Sequence, residues 1–118
     1  RPAIVPLLRV ENCLLGSIQH GLYDLRAQQL SEDILLAVSQ LRPRAVILDF
    51  SVIPLVDSFL SRILFQLSWA VQLLGSRLIL VGLPNEVIIA MVELGVEGSM
   101  ITAARDIDAA LMLLGVAP

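Results

Sequence analysis

The sequence is poor in the residues that bind metals or form crosslinks. Its 118 residues include one cysteine, Cys13, and one histidine, His20. A single cysteine excludes an internal disulfide, and this pair is too small for the usual Cys/His zinc clusters. We therefore expect both to be packing or surface residues, and we expect no metal and no cofactor.

Charge is scarce as well. Charged residues make up 16% of the chain and hydrophobic residues 57%, whereas a typical soluble domain has roughly 25% charged residues. The net charge of −3 comes without a Lys/Arg cluster, which argues against nucleic acid as a partner. A small domain this apolar is expected to keep some apolar surface for a partner or for self-association.

No apolar stretch is long enough to cross a membrane. A spanning helix needs about 20 apolar residues, but the longest stretch without a formal charge runs only from Ile63 to Ser76. The first residues, Arg1 to Val5, contain no basic stretch followed by an apolar signal core. We expect no membrane partner and a single cytoplasmic domain over residues 1–118.

Short apolar runs alternate with longer helical patterns along the chain. Glu11-Asn12 predicts a hairpin turn between the first two strands, and the later alternation predicts right-handed crossovers. The predicted fold class is α/β, a mixed sheet of about five strands with about four helices. Strands are expected at Ala3–Leu8, Cys13–Ile18, Ala45–Leu48, Arg77–Val81 and Met100–Thr102, and helices from Asp24 to Leu41, from Asp57 to Leu74, from Pro84 to Leu94, ending before Gly95, and after the cap Asp106.

Helical spacing also predicts which side chains face the core. The inward residues of the first two helices are expected to be Leu30, Ile34, Ala37, Val38 and Leu41, then Leu60, Ile63, Leu64, Leu67, Val71 and Leu74. Gly75 is expected to end the second helix.

The loop after Asp49 ends in the pair Asp57-Ser58 at the start of the second helix. In open α/β sheets, functional sites gather beyond the carboxyl ends of the strands. This location puts Ser58 beside exposed backbone N–H groups. A simpler interpretation is capping, with Asp57 as the N-cap and Ser58 as an ordinary first-turn residue.

The outer face of the same helix carries aromatic residues. At 100° per residue, Arg62, Phe65, Trp69 and Gln72 fall within about 40° of Ser58, opposite the core stripe. Because aromatic residues are enriched in interface cores, this face is a candidate partner or assembly surface. The alternative is that the rings cover a neighbouring loop.

Phosphorylation of Ser58 would add a charge of about −1.5 to −2 beside Asp57. The helix dipole favours negative charge at this end, and Arg62 lies one turn further on, where it could pair with a phosphate. Such a group could change a partner surface without unfolding the domain.

At these residues the sequence resembles the STAS domain family, the fold of anti-sigma factor antagonists and of the cytosolic ends of sulfate transporters. The resemblance covers nearly the whole chain. It rests on Asp49-Phe50-Ser51 followed by Asp57-Ser58, on Gly21-Leu22-Tyr23-Asp24, on Leu80 to Val87 and on Val92-Glu93-Leu94-Gly95.

The variant Asp57-Ser58-Phe59-Leu60-Ser61-Arg62 is similar to RsbS and to the STAS parts of RsbR proteins in the stressosome. The resemblance implies a non-catalytic scaffold that holds an RsbT-like serine kinase until Ser58 is phosphorylated, with an RsbX-like phosphatase resetting the site. It also implies homo- or hetero-oligomers with an RsbR-like STAS paralogue. Asp57, Phe59 and Arg62 would shape the site, and the length fits RsbS better than RsbR with its extra sensor domain.

Other interpretations stay open. The Ser58 helix start could hold the phosphate of a nucleotide, or the chain could be the regulatory STAS domain of an anion transporter or lipid-transport complex. Ser51 and Ser61 flank Ser58 and could be modified as well. An enzyme would need a nucleophile with an activating base or paired acids, and no such set is visible.

Overall fold

The computed structural model describes residues 4–19, 25–52, 58–93 and 101–115, with only the backbone at residues 58, 59 and 90–93. Five strands and four helices follow the predicted order. They are β1 (Leu8–Val10), β2 (Cys13–Ser17), α1 (Leu25–Leu41), β3 (Ala45–Asp49), α2 (Ser58–Leu73), β4 (Leu78–Val81), α3 (Asn85–Glu93), β5 (Thr102–Ala104) and α4 (Ile107–Leu113).

The sheet is mixed, which confirms the predicted fold class. Its strand order, β1-β2-β3-β4-β5, is the order of the chain. β1 pairs with β2 antiparallel, and the other three pairings are parallel. Parallel neighbours require a crossover connection, and α1, α2 and α3 lie in the three crossovers.

The first strand is shorter and lies later in the chain than the predicted Ala3–Leu8. Glu11 and Asn12 both have positive φ, 50° and 62°, as the tight hairpin turn requires. This turn pairs Val10 with Cys13, so the strand must reach Val10. The preceding apolar residues pack on the core outside the sheet, where Val5 and Leu7 lie over Gly16. The predicted turn is confirmed, but the predicted strand boundaries are wrong.

The last strand is also displaced from its prediction. β5 covers Thr102–Ala104, not Met100–Thr102, because Thr102 pairs with Ile79 and Ala104 with Val81. Its two alanines have little intrinsic preference for a strand, so pairing with β4 decides the boundaries. The cap that follows is confirmed, since an Asp106 carboxylate oxygen accepts the N–H of Ala109 at 2.9 Å.

The two faces of the sheet pack against different helices. Residues of β3 alternate, so that Val46 and Leu48 face the larger core beneath α1 and α2, while Ala45 and Ile47 face a smaller core beneath α4. Both faces of the central strands are therefore buried, as expected for a continuous apolar run.

The ends of the first two helices differ from the predicted inward stripes. Leu41 is 45% exposed and Leu74 is 43% exposed. Both stand at or just past the last helical residue, where the chain turns towards the next strand, so helical phase no longer brings the side chain over the sheet. The predicted end at Gly75 is confirmed: its φ is +90°, and the Ser76 N–H donates to Val71 O at 3.0 Å in the pattern of a Schellman motif.

Several expectations lie outside the described residues. They concern the start of the first helix at Asp24, the cap Asp57, the role of His20 and the end of the third helix at Leu94-Gly95. Of the helices in the described part of the chain, none has the length and apolar character to cross a membrane.

Candidate phosphorylation site and partner surface

The candidate site lies at the carboxyl edge of the parallel strands. β2, β3 and β4 run parallel, and their carboxyl ends, Ser17, Asp49 and Val81, are paired neighbours in the register. The connection after β3 leads into α2, whose first residue is Ser58. The N-terminus of this 16-residue helix therefore belongs to the same edge, and its first backbone N–H groups have no partner within the helix.

The chain turns sharply as it leaves β3. The Asp49 carboxylate oxygen Oδ1 accepts the backbone N–H of Ser51 at 2.9 Å, and the Ser51 hydroxyl donates to the same oxygen. This is an Asx-type turn, which replaces strand pairing with a local bond. Phe50 between them is fully buried and its N–H donates to Val81 O at 2.8 Å. The base of the loop is therefore fixed to the core and to β4.

Gly82 closes this arrangement from the neighbouring strand. It follows β4 with a φ of +71°, and a Cβ placed on it would lie 2.5 Å from Ser51 Oγ and 2.8 Å from Ser51 N. No side chain fits there without moving the turn. The loops after β3 and β4 are thus in direct contact at the edge that leads to Ser58.

The predicted phosphosite residues are described to different extents. Ser58 is the first residue of α2. The structure describes only the backbone of Ser58 and Phe59, and Asp57 lies outside the described residues. Leu60 is buried in the larger core, which confirms it as an inward residue of α2. Arg62, one turn after Ser58, is exposed.

The outer face of α2 is more mixed than its helical projection predicts. Trp69 is 51% exposed and Gln72 is exposed. Phe65 is half-buried and packs against the larger core. α1 lies beside α2 on the same face of the sheet, so the groove between the two helices extends the core towards one flank of α2. The prediction that Phe65 lies opposite the core is wrong, whereas its role in an interface stays a prediction.

Leu73 belongs to this outer face and was not singled out in the sequence. It is 71% exposed and follows Trp69 by four residues, which places the two side chains next to each other on the helix surface. The spacing from the chain's only tryptophan is a signal that could have identified it. Trp69 and Leu73 form the exposed apolar part of α2.

A small pocket opens at the same edge, beside the end of β2. Its volume is about 230 Å³, below the roughly 300–1,000 Å³ of typical ligand pockets. The lining residues are Ile4, Val5, Pro6, Ser17, Ile18, Gln19 and Arg26.

This geometry can be compared with known proteins. The profile of the STAS domain matches residues 5–110, which is most of the chain. The chain belongs to the STAS domain family.

Relatives place this STAS domain near stressosome proteins. The RsbT co-antagonist protein RsbRA of Bacillus subtilis (strain 168) is 32% identical over 76 residues, which are 64% of this chain. The chain spans 28% of the length of that relative.

Two solved structures are also similar. Moorella thermoacetica RsbS S58E superposes with a TM-score of 0.80 at 27% identity, covering 94% of each chain. A structure described as the molecular architecture of the stressosome, a signal integration and transduction hub, has a TM-score of 0.78 at 27% identity and covers 93% of this chain and 96% of its own. The chain is thus a STAS domain of the kind found in stressosome scaffolds.

Proposed function

We propose that this STAS domain is a cytoplasmic, non-catalytic stressosome scaffold that holds an RsbT-like serine kinase and releases it when Ser58 is phosphorylated. The observation that carries the proposal is the place of Ser58, the first residue of α2 at the carboxyl edge of the sheet. The relatives support it, because one is named a co-antagonist of RsbT. Another is an RsbS variant with a serine-to-glutamate change, which introduces negative charge as a phosphoryl group does.

Electrostatics at the helix start favour a phosphorylated state. The N-terminus of α2 carries the positive end of the helix dipole, which stabilises an anion in the first turn. The exposed Arg62 lies one turn on and could donate charge-assisted hydrogen bonds to phosphate oxygens. The domain therefore tolerates the added charge, while a partner seated on this end of α2 meets a changed surface.

The core is separated from this change. The side chains of α2 that pack into the larger core, such as Leu64, Leu67 and Val71, are 0–1% exposed and lie on the face opposite Ser58. Phosphorylation is thus expected to alter binding and to leave folding intact. An RsbX-like phosphatase would reverse the change.

The outer face of α2 is the proposed contact for assembly with further copies or with an RsbR-like paralogue. Trp69 and Leu73 supply exposed apolar area there, and Gln72 supplies an exposed polar group beside Trp69. Interface cores combine such aromatic residues with a polar rim.

Phosphorylation by the purified cognate kinase and ATP tests the site. Wild-type protein is expected to take up one phosphate, located at Ser58 by mass spectrometry of tryptic peptides. Ser58→Ala should take up none. Ser61→Ala, which removes a hydroxyl from the next turn of the same helix, should be labelled as wild type. Full labelling of Ser58→Ala would show that the site is elsewhere.

Release of the kinase is tested by binding measurements with two variants that match in shape and differ in charge. Ser58→Asp is expected to weaken kinase binding at least about tenfold, because the carboxylate introduces charge into the contact. Ser58→Asn has nearly the same shape without the charge and should bind within about threefold of wild type. Equal binding of the Asp and Asn variants would contradict release by charge.

A further inference from the structure

The contact between Asp49, Ser51 and Gly82 has no part in the proposed chemistry at Ser58, yet it holds the first residues of the connection that leads there. We call these three residues the edge clamp. Asp49 is half-buried and accepts two hydrogen bonds from Ser51, through the backbone N–H and through the hydroxyl. Both bonds reach the same oxygen, Oδ1.

The clamp is held from both sides. On the core side, the Ile18 N–H donates to Asp49 O and the Phe50 N–H donates to Val81 O, each at 2.8 Å. On the outer side, the backbone of Gly82 approaches so closely that a Cβ would be 3.0 Å from Asp49 Oδ1 and nearer still to Ser51. Ser51 itself is exposed. An exposed residue is therefore fixed in place by its neighbours, although it contributes nothing to the core.

Such fixing matters for a substrate loop. A kinase binds the chain around the acceptor hydroxyl in one conformation. If the loop populates this conformation for only a fraction of the time, its apparent affinity for the kinase falls in proportion to that fraction. Once bound, the reaction itself is unchanged. Loss of preorganisation therefore raises KM and leaves kcat nearly constant.

We propose that Asp49, Ser51 and Gly82 are positioning residues that preorganise the loop delivering Ser58 to the kinase. They act through the loop and make no contact with the reacting hydroxyl. The inference rests on the proposed function, since it requires that Ser58 is the acceptor. It also assigns the Ser51 hydroxyl a structural use as a donor to Asp49, so that Ser51 takes up no phosphate.

Steady-state kinetics of Ser58 phosphorylation test this role. Asp49→Ala removes the acceptor oxygen and is expected to raise KM about fivefold or more. About fivefold is the change in an equilibrium constant that corresponds to one hydrogen bond of ordinary net strength. The value of kcat should stay within about twofold of wild type. Asp49→Asn keeps an acceptor oxygen at the same position without the charge and should restore KM to within about twofold of wild type. Asp108→Ala, an exposed carboxylate in α4, is the control and should leave both constants unchanged.

A second pair of variants guards against misfolding of Asp49→Ala. Ser51→Ala removes one of the two bonds at an exposed position and should raise KM about two- to fivefold. Ser51→Thr keeps the hydroxyl and should restore the wild-type value. Hydrogen exchange by NMR gives a readout without the kinase, because the Ser51 amide should be protected in the wild type and in Asp49→Asn and unprotected in Asp49→Ala.

The outcomes separate the inference from the proposed function. If wild type is labelled at Ser58 and the Asp49→Ala and Ser51→Ala variants share its KM, the clamp has no positioning role and only this inference is overturned. Failure of Asp49→Asn to restore KM, or phosphate on Ser51, would overturn it too. If wild type takes no phosphate at Ser58, both the proposed function and the inference are wrong.

Discussion

Gly82 meets two separate constraints, a left-handed backbone and a lack of space for any side chain. Its φ is +71°, and Ser51 occupies the position where a Cβ would stand. Gly75 shares the left-handed backbone, with φ +90°, but a Cβ there would meet no atom within 4 Å. The two glycines therefore form a matched pair in which backbone strain and steric contact can be separated.

Gly82→Ala is expected to destabilise the fold more than Gly75→Ala. Both variants incur left-handed strain of roughly 1–2 kcal/mol, and Gly82→Ala adds overpacking of about 1–3 kcal/mol. Urea unfolding followed by circular dichroism measures both free energies of unfolding. Equal decreases in the free energy of unfolding would mean that the turn at Ser51 moves to accommodate the new methyl group at little energetic cost.

At the residue scale, the sequence identified Asp49, Ser51 and Ser58 as one segment but could not relate them to Gly82. That contact depends on the pairing of Asp49 with Val81 in adjacent strands. Local sequence patterns do not predict pairing between residues so far apart along the chain. The Asp106 cap was predictable, because its hydrogen bond joins residues three apart.

At the scale of elements, α4 gives the simplest test of a local signal. Asp106→Ala removes the acceptor of the Ala109 N–H and should cost about 0.5–2 kcal/mol of unfolding free energy. Asp108→Ala, two residues on and exposed, changes the same charge without touching the cap and should cost less than about 0.5 kcal/mol. Thermal or urea denaturation of both proteins measures the difference, and equal losses would assign the effect to charge alone.

The outer face of α2 gives a prediction about binding. Trp69→Ala with Leu73→Ala removes exposed apolar area, so assembly with copies or an RsbR-like paralogue should weaken while stability stays within about 1 kcal/mol of wild type. Phe65→Ala should instead lower stability by about 1–3 kcal/mol, because this ring packs against the core. Size-exclusion chromatography and urea titration separate the two effects. Unchanged assembly of the double variant would show that Trp69 and Leu73 lie on the surface without contributing to the assembly contact.

Element boundaries were less predictable than element order. The apolar residues before β1 have the composition of a strand, yet they pack beside Gly16 on the core, since the turn at Glu11-Asn12 already sets where pairing must begin. The two alanines of β5 give little local signal, so its boundaries follow from its neighbour. Where the pattern was long and periodic, as in α1 and α2, the helices were placed within one or two residues at their C-terminal ends.

At the scale of the whole molecule, Cys13 reports whether the packed interior opens. Cys13 is 1% exposed in the smaller core, although β2 lies next to the edge strand β1. A thiol reagent should therefore label native protein slowly and urea-unfolded protein at once. Because phosphorylation at Ser58 is proposed to change only the surface, phosphorylated and unphosphorylated protein should be labelled at the same rate. Faster labelling after phosphorylation would show that the modification loosens the fold.

The order of strands in the sheet has a consequence for synthesis on the ribosome. Each strand pairs with the one made just before it, and none is inserted between strands already in place. The pairing of β1 with β2 needs no helix and each parallel pairing needs one intervening helix, which keeps the contact order low for a parallel sheet. Because chains emerge and fold from the N-terminus, the domain can grow strand by strand during translation, and the described sheet then keeps two edges at every stage, β1 and its latest strand.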